Sequence, residues 1–269
     1  MDDEKKLKEL LKKIFLIGCK GGMAHLASCY SCLEILYVLY VRGVLKLDAA
    51  NPKWSGRDRF ILSKGHAGLA LYCIMAQAGL LSEEACASYM QPGGGLGGEP
   101  CMRDSCWVEA TTGSLGHGLS FAQGMAMALK ADGNPAMVYV LLGDGELNEG
   151  SVWEAFMSAA HYGLENLTAV IDRNRLSYDG DTETVMGLEC LNAKLSSFGW
   201  HVSQCDGHDI WALLEAFQDT KAGRPHAILA ETVKGKGVSF AEHRPEWHHH
   251  RLSQEEYDRA RKEVLGETL

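Results

Sequence analysis

No stretch of this sequence is rich enough in proline or serine to serve as a linker, and no internal repeat or low-complexity tract interrupts it. With nothing to divide them, its 269 residues are expected to form a single α/β domain spanning 1–269 around one large core. Basic residues are also in short supply: 26 Lys and Arg against 35 Asp and Glu give a net charge of −9. That balance excludes a nucleic-acid surface or an anionic membrane surface, which need clustered Lys and Arg. It does not exclude a phosphorylated ligand, because local backbone N–H groups and a metal can hold phosphate. No apolar run is long enough to span a bilayer, and the charged start, residues 2–13, lacks the apolar centre of a signal peptide. A soluble cytoplasmic protein is expected.

Cysteine is the exception to this scarcity. Nine cysteines in a cytosolic chain read as small buried hydrophobes rather than disulfides. Cys29 and Cys32 have C-x-x-C spacing, and Cys101 and Cys106 follow in a later loop. No strand precedes the first pair, as a redox site would require, and the second has the wrong spacing for a zinc ribbon.

Leu7, Leu10, Leu11, Ile14 and Ile17 recur at helical spacing and predict an amphipathic first helix that stops near Gly18. Residues 21–31 read as a loop. Residues 32–41 read as a helix apolar on every side, hence buried. A polar turn region at 51–58 precedes Phe60-Ile61-Leu62, then Ser63-Lys64-Gly65-His66 and an apolar helix through Gly79. Five glycines and two prolines make 91–100 a loop, of a composition that often lies over a ligand. Beyond it the pattern alternates: strand 137–142, a helix face at Trp153, Phe156, Met157 and Ala160, strand 167–171, helix 188–198, strand 200–204, helix 210–217 and strand 227–230. Such alternation predicts a doubly wound, mostly parallel α/β sheet with helices on both faces.

Ligands of such sheets bind beyond the carboxyl ends of the strands. The strand at 137–142 runs into Gly143-Asp144-Gly145, and the strand at 167–171 into Asp172-Arg173-Asn174, one βαβ step later. Asp144 and Asn174 are therefore expected on one rim, with glycines allowing close backbone approach. A carboxylate with an amide oxygen suits a hard cation that leaves positions for phosphate and water. Gly-Asp-Gly alone would be only a strand-ending turn; its pairing with Asn174 makes it a candidate metal site.

Gly143-Asp-Gly-Glu-Leu-Asn-Glu-Gly150, Trp153-Glu154-Ala155 and Val170-Ile-Asp-Arg-Asn-Arg-Leu-Ser-Tyr-Asp-Gly180 together closely resemble the thiamine diphosphate motif of transketolases. The resemblance covers essentially the whole chain. It implies Asp144, Asn174 and the Leu176 carbonyl as ligands of Mg2+ (or Ca2+ or Mn2+), with Gly143, Gly145 and Glu146 beside the cofactor. Leu62-Ser-Lys-Gly-His-Ala67 resembles the segment whose histidine, here His66, lies over the cofactor. Thr111-Thr-Gly-Ser-Leu-Gly-His-Gly118 is similar to the glycine-rich stretch along it, placing Gly113, Ser114 and Leu115 there. Lys234-Gly-Lys-Gly-Val-Ser-Phe240 and Trp247-His248 match the end of the cofactor domain and make His248 a diphosphate-side histidine. His25 takes the place of the first active-site histidine and, like Glu99, falls on the substrate side.

Glu149 and Glu154, at the start of a helix, can be simple dipole partners. The resemblance assigns them to a carboxylate network at the subunit interface that links to the cofactor-activating glutamate. His243, His249 and His250 read as a solvated cluster. Three positions depart from the family pattern: Arg173 stands for Asn or Asp, His117 for Gln, and Glu99 for a histidine lining the donor-sugar pocket. An anion at position 99 would repel a phosphate and favour a hydroxyl or amine.

Transketolases carry a pyrimidine-binding domain and a third domain beyond the matching one. The resemblance therefore implies the N-terminal subunit of a split transketolase, working in an α2β2 heterotetramer with a C-terminal, pyrimidine-side subunit. The implied reaction moves a two-carbon ketol unit from a ketose or ketose phosphate to an aldose or other acceptor, with His25 and His66 moving protons or hydrogen-bonding substrate hydroxyls and His248 grouped with them among the catalytic residues. A 2-oxo acid dehydrogenase-type enzyme, a hybrid that passes the two-carbon unit to a carrier protein, and a non-catalytic assembly partner are the alternatives.

Overall fold

The computed structural model describes residues 2–21 and 25–266. Its elements are α1 (Asp2–Gly21), α2 (Leu26–Ser31), α3 (Leu33–Tyr40), β1 (Arg59–Leu62), α4 (Gly68–Gln77), α5 (Glu83–Ala87), α6 (Gly118–Ala131), β2 (Val138–Gly143), α7 (Gly150–His161) and β3 (Leu167–Arg173). They continue with α8 (Thr182–Met186), α9 (Leu191–Ser197), β4 (His201–Asp206), α10 (Ile210–Gln218), β5 (His226–Glu231) and α11 (Gln254–Leu265). The five strands form one parallel sheet in the order β1-β2-β3-β5-β4.

Strand alternation divides the core between two faces. Tyr139, Leu141, Val170, Ile228 and Ala230 point towards α1, α3, α4, α10 and α11, where Ile14, Phe15, Leu36, Tyr72 and Leu213 are buried. Val138, Val140, Leu142, Ala169 and Ile171 point the other way, towards Leu119 and Ala122 of α6, Phe156 of α7 and Leu195 of α9. Right-handed crossovers explain the sorting. The step from β2 through α7 to β3 crosses the sheet in one direction, and that from β4 through α10 to β5 crosses it in reverse, so the two helices lie on opposite faces. The predicted doubly wound sheet is the observed one.

Three differences have physical causes. Residues 26–31 of the expected loop form α2, which is almost wholly buried; residues 22–24 of that stretch lie outside the described residues. Helix α6 carries its buried stripe on small residues, Ala122 and Ala126 beside Leu119, and so has a weak apolar period. Helix α11 is mostly polar and announces itself by a capping box, in which Ser253 accepts from Glu256 N and the Glu256 side chain from Ser253 N. All nine cysteines are free thiols, with Cys29 and Cys32 buried. Among the described residues no three His, Cys, Asp or Glu side chains converge on a metal, so the C-x-x-C pair behaves as packing. No helix among them is long and apolar enough to cross a membrane.

The amino ends of β4 and β5 carry a histidine pair far from the ligand rim. His201 and His226 are register partners whose rings stack at 5.2 Å. Ser203 Oγ bridges His226 Nε2 (2.8 Å) and Asp219 Oδ2 (2.7 Å), and His201 Nε2 lies 3.1 Å from the same carboxylate oxygen. Burial, helped by His201, lowers the His226 pKa to about 4. The folded state therefore keeps His226 neutral where the unfolded chain protonates it near 6.5. This stability is complete above about pH 6.5 and drains away as pH falls towards 4, about 3 kcal/mol in all. Urea midpoints measured between pH 7 and 4 should fall more steeply for the wild type than for His226→Phe; parallel slopes would remove His226 from the acid response.

Candidate cofactor and metal site

Parallel pairing aligns Gly143 with Asp172 at the carboxyl ends of β2 and β3, and Asp144 N donates to Asp172 O (3.3 Å). Asp144 and Asn174 thus emerge side by side, as expected from the sequence. Asp144 is 1% exposed. Its Oδ1 accepts from Gly145 N (2.8 Å), and its Oδ2 from Arg175 N (2.5 Å) and Arg173 Nη1 (3.2 Å). Burial and the neighbouring Asp172 push its pKa up to about 6, against the pull of Arg173. The Asn174 amide has a defined orientation: Nδ2 donates to Asp172 Oδ1 (3.2 Å), which turns Oδ1 towards Leu176 N (3.1 Å).

These groups border a cavity of about 200 Å3, also lined by Ser28, Lys64, His66, Leu115, Gly145, Glu146, Tyr178, Lys234 and His248. Lys234 Nζ donates to the Leu176 carbonyl (3.2 Å) and to His248 Nδ1 (2.7 Å). Burial, reinforced by Lys64, brings its pKa down to about 8. Four imidazoles cluster here: His25 lies 5.3 Å from His66, 5.2 Å from His248 and 4.7 Å from His249, and His66 lies 4.9 Å from His248. His25 Nδ1 also contacts the His248 carbonyl (2.9 Å). Burial lowers the pKa of all three predicted histidines, that of His248 to about 3, so they are neutral near pH 7. The expected solvated cluster is corrected in part. His243 and His249 are both exposed, although the His249 ring also touches His25, whereas His250 is half-buried against Glu256 (3.1 Å).

The other expected residues separate by position. Glu146 is 2% exposed and braces the walls: it accepts from Gly143 N (3.1 Å), Gly116 N (2.9 Å) and Ser63 Oγ. Leu115 lines the cavity, whereas Ser114 is exposed and outside that lining. Gly113 has φ +141° and packs so close to Gly65 that a Cβ on Gly65 would lie 2.7 Å from Gly113 N; the Glu99 carboxylate abuts Gly113 on another side. Glu99 itself is exposed, and its carbonyl accepts from Tyr72 Oη (3.3 Å). Glu149 and Glu154 are exposed around the start of α7, and His117 is exposed with its ring on the Leu115 carbonyl (3.0 Å).

Sequence reasoning missed Ser28, Tyr178 and the roles of Lys64, Asp172 and Lys234. Lys64, from the end of β1, reaches past β2 to pair with Asp172 in β3, and both are fully buried. Ser31 Oγ (2.6 Å) and Thr232 Oγ1 donate to the same carboxylate. Burial alone would raise the Asp172 pKa; Lys64, Ser31 and Thr232 outweigh it and hold it below the carboxylate range. No local spacing announces a pair that spans two strand steps. Lys234 did carry a signal, a lysine embedded in a Gly-rich turn after the last strand.

The donor set fits a hard cation with a diphosphate. A carboxylate, an oriented amide oxygen and a carbonyl share one rim with a buried amine. Ser28 Oγ is buried and without a hydrogen-bond partner in a residue lining the cavity, as an acceptor-bearing ligand would require. Fold and site together define a parallel α/β domain with a cavity suited to a ligand that carries a diphosphate.

Comparison with known proteins carries this further. The family described as transketolase, thiamine diphosphate binding domain, matches residues 19–267, and the chain belongs to it. It is 41% identical over 221 residues to one subunit of the apulose-4-phosphate transketolase of Actinobacillus succinogenes, covering 82% of this chain and 79% of that one. It is 40% identical over 250 residues to a 6-deoxy-6-sulfo-D-fructose transketolase subunit of a Clostridium species, covering 92% and 90%. The solved transketolase of Leishmania mexicana superposes with a TM-score of 0.86 at 29% identity, over 96% of this chain but 41% of that one. The chain thus spans about two fifths of the solved transketolase and most of the subunit-type relatives.

Proposed function

We propose that this chain is the diphosphate- and metal-holding subunit of a two-component transketolase, completed by a pyrimidine-side partner in an α2β2 assembly. The observation that carries the reading is the convergence of Asp144, Asn174 and the Leu176 carbonyl with Lys234 at one cavity. Asp144, Asn174 and Leu176 O would hold Mg2+ (or Ca2+ or Mn2+). Lys234, His66 and His248, with the Gly143–Gly145 backbone, would hold the diphosphate. Gly113, Ser114 and Leu115 would run along the cofactor, with Glu146 fixing the walls against each other. When bound, thiamine diphosphate supplies the carbon nucleophile for transfer of a two-carbon ketol unit.

Neutral His25 and His66 can accept hydrogen bonds from substrate hydroxyls and take up or return their protons. Glu99, an exposed carboxylate against Gly113, disfavours a phosphate at that side of the entrance and favours a donor that presents hydroxyls there. The donor class is a ketose or ketose phosphate, and the acceptor an aldose. Glu149 and Glu154 would face the partner subunit. The test mixes the full chain with a pyrimidine-side subunit, Mg2+ and thiamine diphosphate, and follows ketol transfer from a ketose phosphate. Activity only in the mixture, sedimenting as α2β2, is expected; full activity of this chain alone would overturn the two-component reading.

A further inference from the structure

Arg173 closes β3, and its side chain is 1% exposed. A guanidinium is rarely so buried without carboxylates to compensate it. Its two terminal nitrogens serve different parts of the molecule. Nη1 donates to Asp144 Oδ2 (3.2 Å) in the metal loop and to Thr182 Oγ1 (2.8 Å) at the start of α8. Nη2 donates to Glu183 Oε1 (2.8 Å) and Glu189 Oε1 (2.9 Å). Those two glutamates belong to residues 177–189, the segment that supplies Tyr178, Asp179 and Val185 to the cavity wall.

Leu188 packs into the core at the far end of that segment and Thr182 N donates to Arg175 O (2.9 Å), but the stretch between them has little apolar packing. In α8 just Thr182 is buried, while Val185 and Met186 are 42% and 63% exposed. Glu183 folds the segment back on itself by accepting from Leu188 N (3.1 Å) and Glu189 N (3.1 Å). Segments with few buried apolar contacts open at low cost, so polar anchors decide their opening. Here a charge-assisted network, buried at Arg173 and Asp144 and partly exposed at Glu183 and Glu189, joins the weakly packed wall to a candidate metal-ligand carboxylate.

We propose that Arg173 is a positioning residue that latches segment 177–189 to Asp144, so that opening of the cavity wall and loosening of the metal loop are one event. For its ligand half the proposal rests on the cofactor reading above; its structural half stands without it. The competing role is local charge compensation of Asp144, in which Glu183 would have no influence on the metal loop.

Hydrogen exchange of the full chain without ligand separates the two roles. Glu183→Ala should speed exchange about tenfold both in 177–189 and at Gly143–Leu147. Arg173→Gln should do the same, and the double variant should add little to the larger single effect, because the residues act through one network. With Mg2+ and thiamine diphosphate, both variants should release the cofactor about tenfold faster than the wild type. Loosening confined to 177–189, with the metal loop and the release rate as in the wild type, would overturn the latch. Glu183, with its side chain 32% exposed, carries the test if Arg173→Gln does not fold. A wild-type chain that binds no cofactor would count against the cofactor reading, while the exchange comparison still decides the latch.

Discussion

Asp144→Asn weakens magnesium-dependent binding of thiamine diphosphate at least about a hundredfold while leaving the fold intact. The site holds one carboxylate among its three candidate metal ligands, the others being an amide and a backbone carbonyl. Removing that charge takes away the main electrostatic attraction for a hard cation. The loop itself should survive: an Asn oxygen still accepts from Gly145 N or Arg175 N, and Arg173 retains Glu183 and Glu189. Calorimetry should therefore show the loss of binding, and thermal unfolding should show a midpoint close to that of the wild type. Wild-type affinity in Asp144→Asn would place the metal elsewhere.

The second large effect is structural. Asp172→Ala lowers stability by about 4 kcal/mol, because it leaves the Lys64 amine buried without a counter-charge. It also strands Thr232 Oγ1 and removes one hydrogen bond each from Ser31 Oγ and the Asn174 amide. In a chain of this size the melting temperature should drop by about 10 °C. Lys64→Met combined with Asp172→Leu should recover much of the loss, since an apolar pair of similar volume removes the charge penalty from both sides. The double variant should still bind cofactor poorly, because Asn174 loses the partner that orients its amide. Urea unfolding of Asp172→Ala, Lys64→Met and the double variant reads all three terms of this comparison. If Asp172→Ala cost less than about 1 kcal/mol, the buried pair would not anchor β1 to β3.

The sheet and the placing of Asp144 beside Asn174 could be read from the sequence because both are local or periodic. Short apolar runs ending in Gly143-Asp144 and in Asp172-Arg173-Asn174 place two oxygens on one rim by the geometry of a single βαβ step. Helix α6 was hidden because alanines make a weak stripe, and α2 because a buried helix of six residues looks like a Gly- and Cys-bearing loop. The Lys64–Asp172 pair was hidden by distance, since 108 residues separate its partners. Arg173 was visible as a departure from the family pattern, but not its partners: its charge is committed to Asp144, Glu183 and Glu189. The imidazole cluster was half legible. His25, His66 and His248 could be found by resemblance, whereas His249 comes to lie beside His25 only once the chain after β5 folds back over the site.

Calorimetric titration of thiamine diphosphate into the full chain, run once with Mg2+ and once with excess EDTA, asks most directly whether this chain holds the metal and diphosphate end of the cofactor. Saturable binding with Mg2+ that is lost in EDTA is the predicted result. Equal binding in both solutions, or none in either even with the pyrimidine-side subunit present, would contradict it.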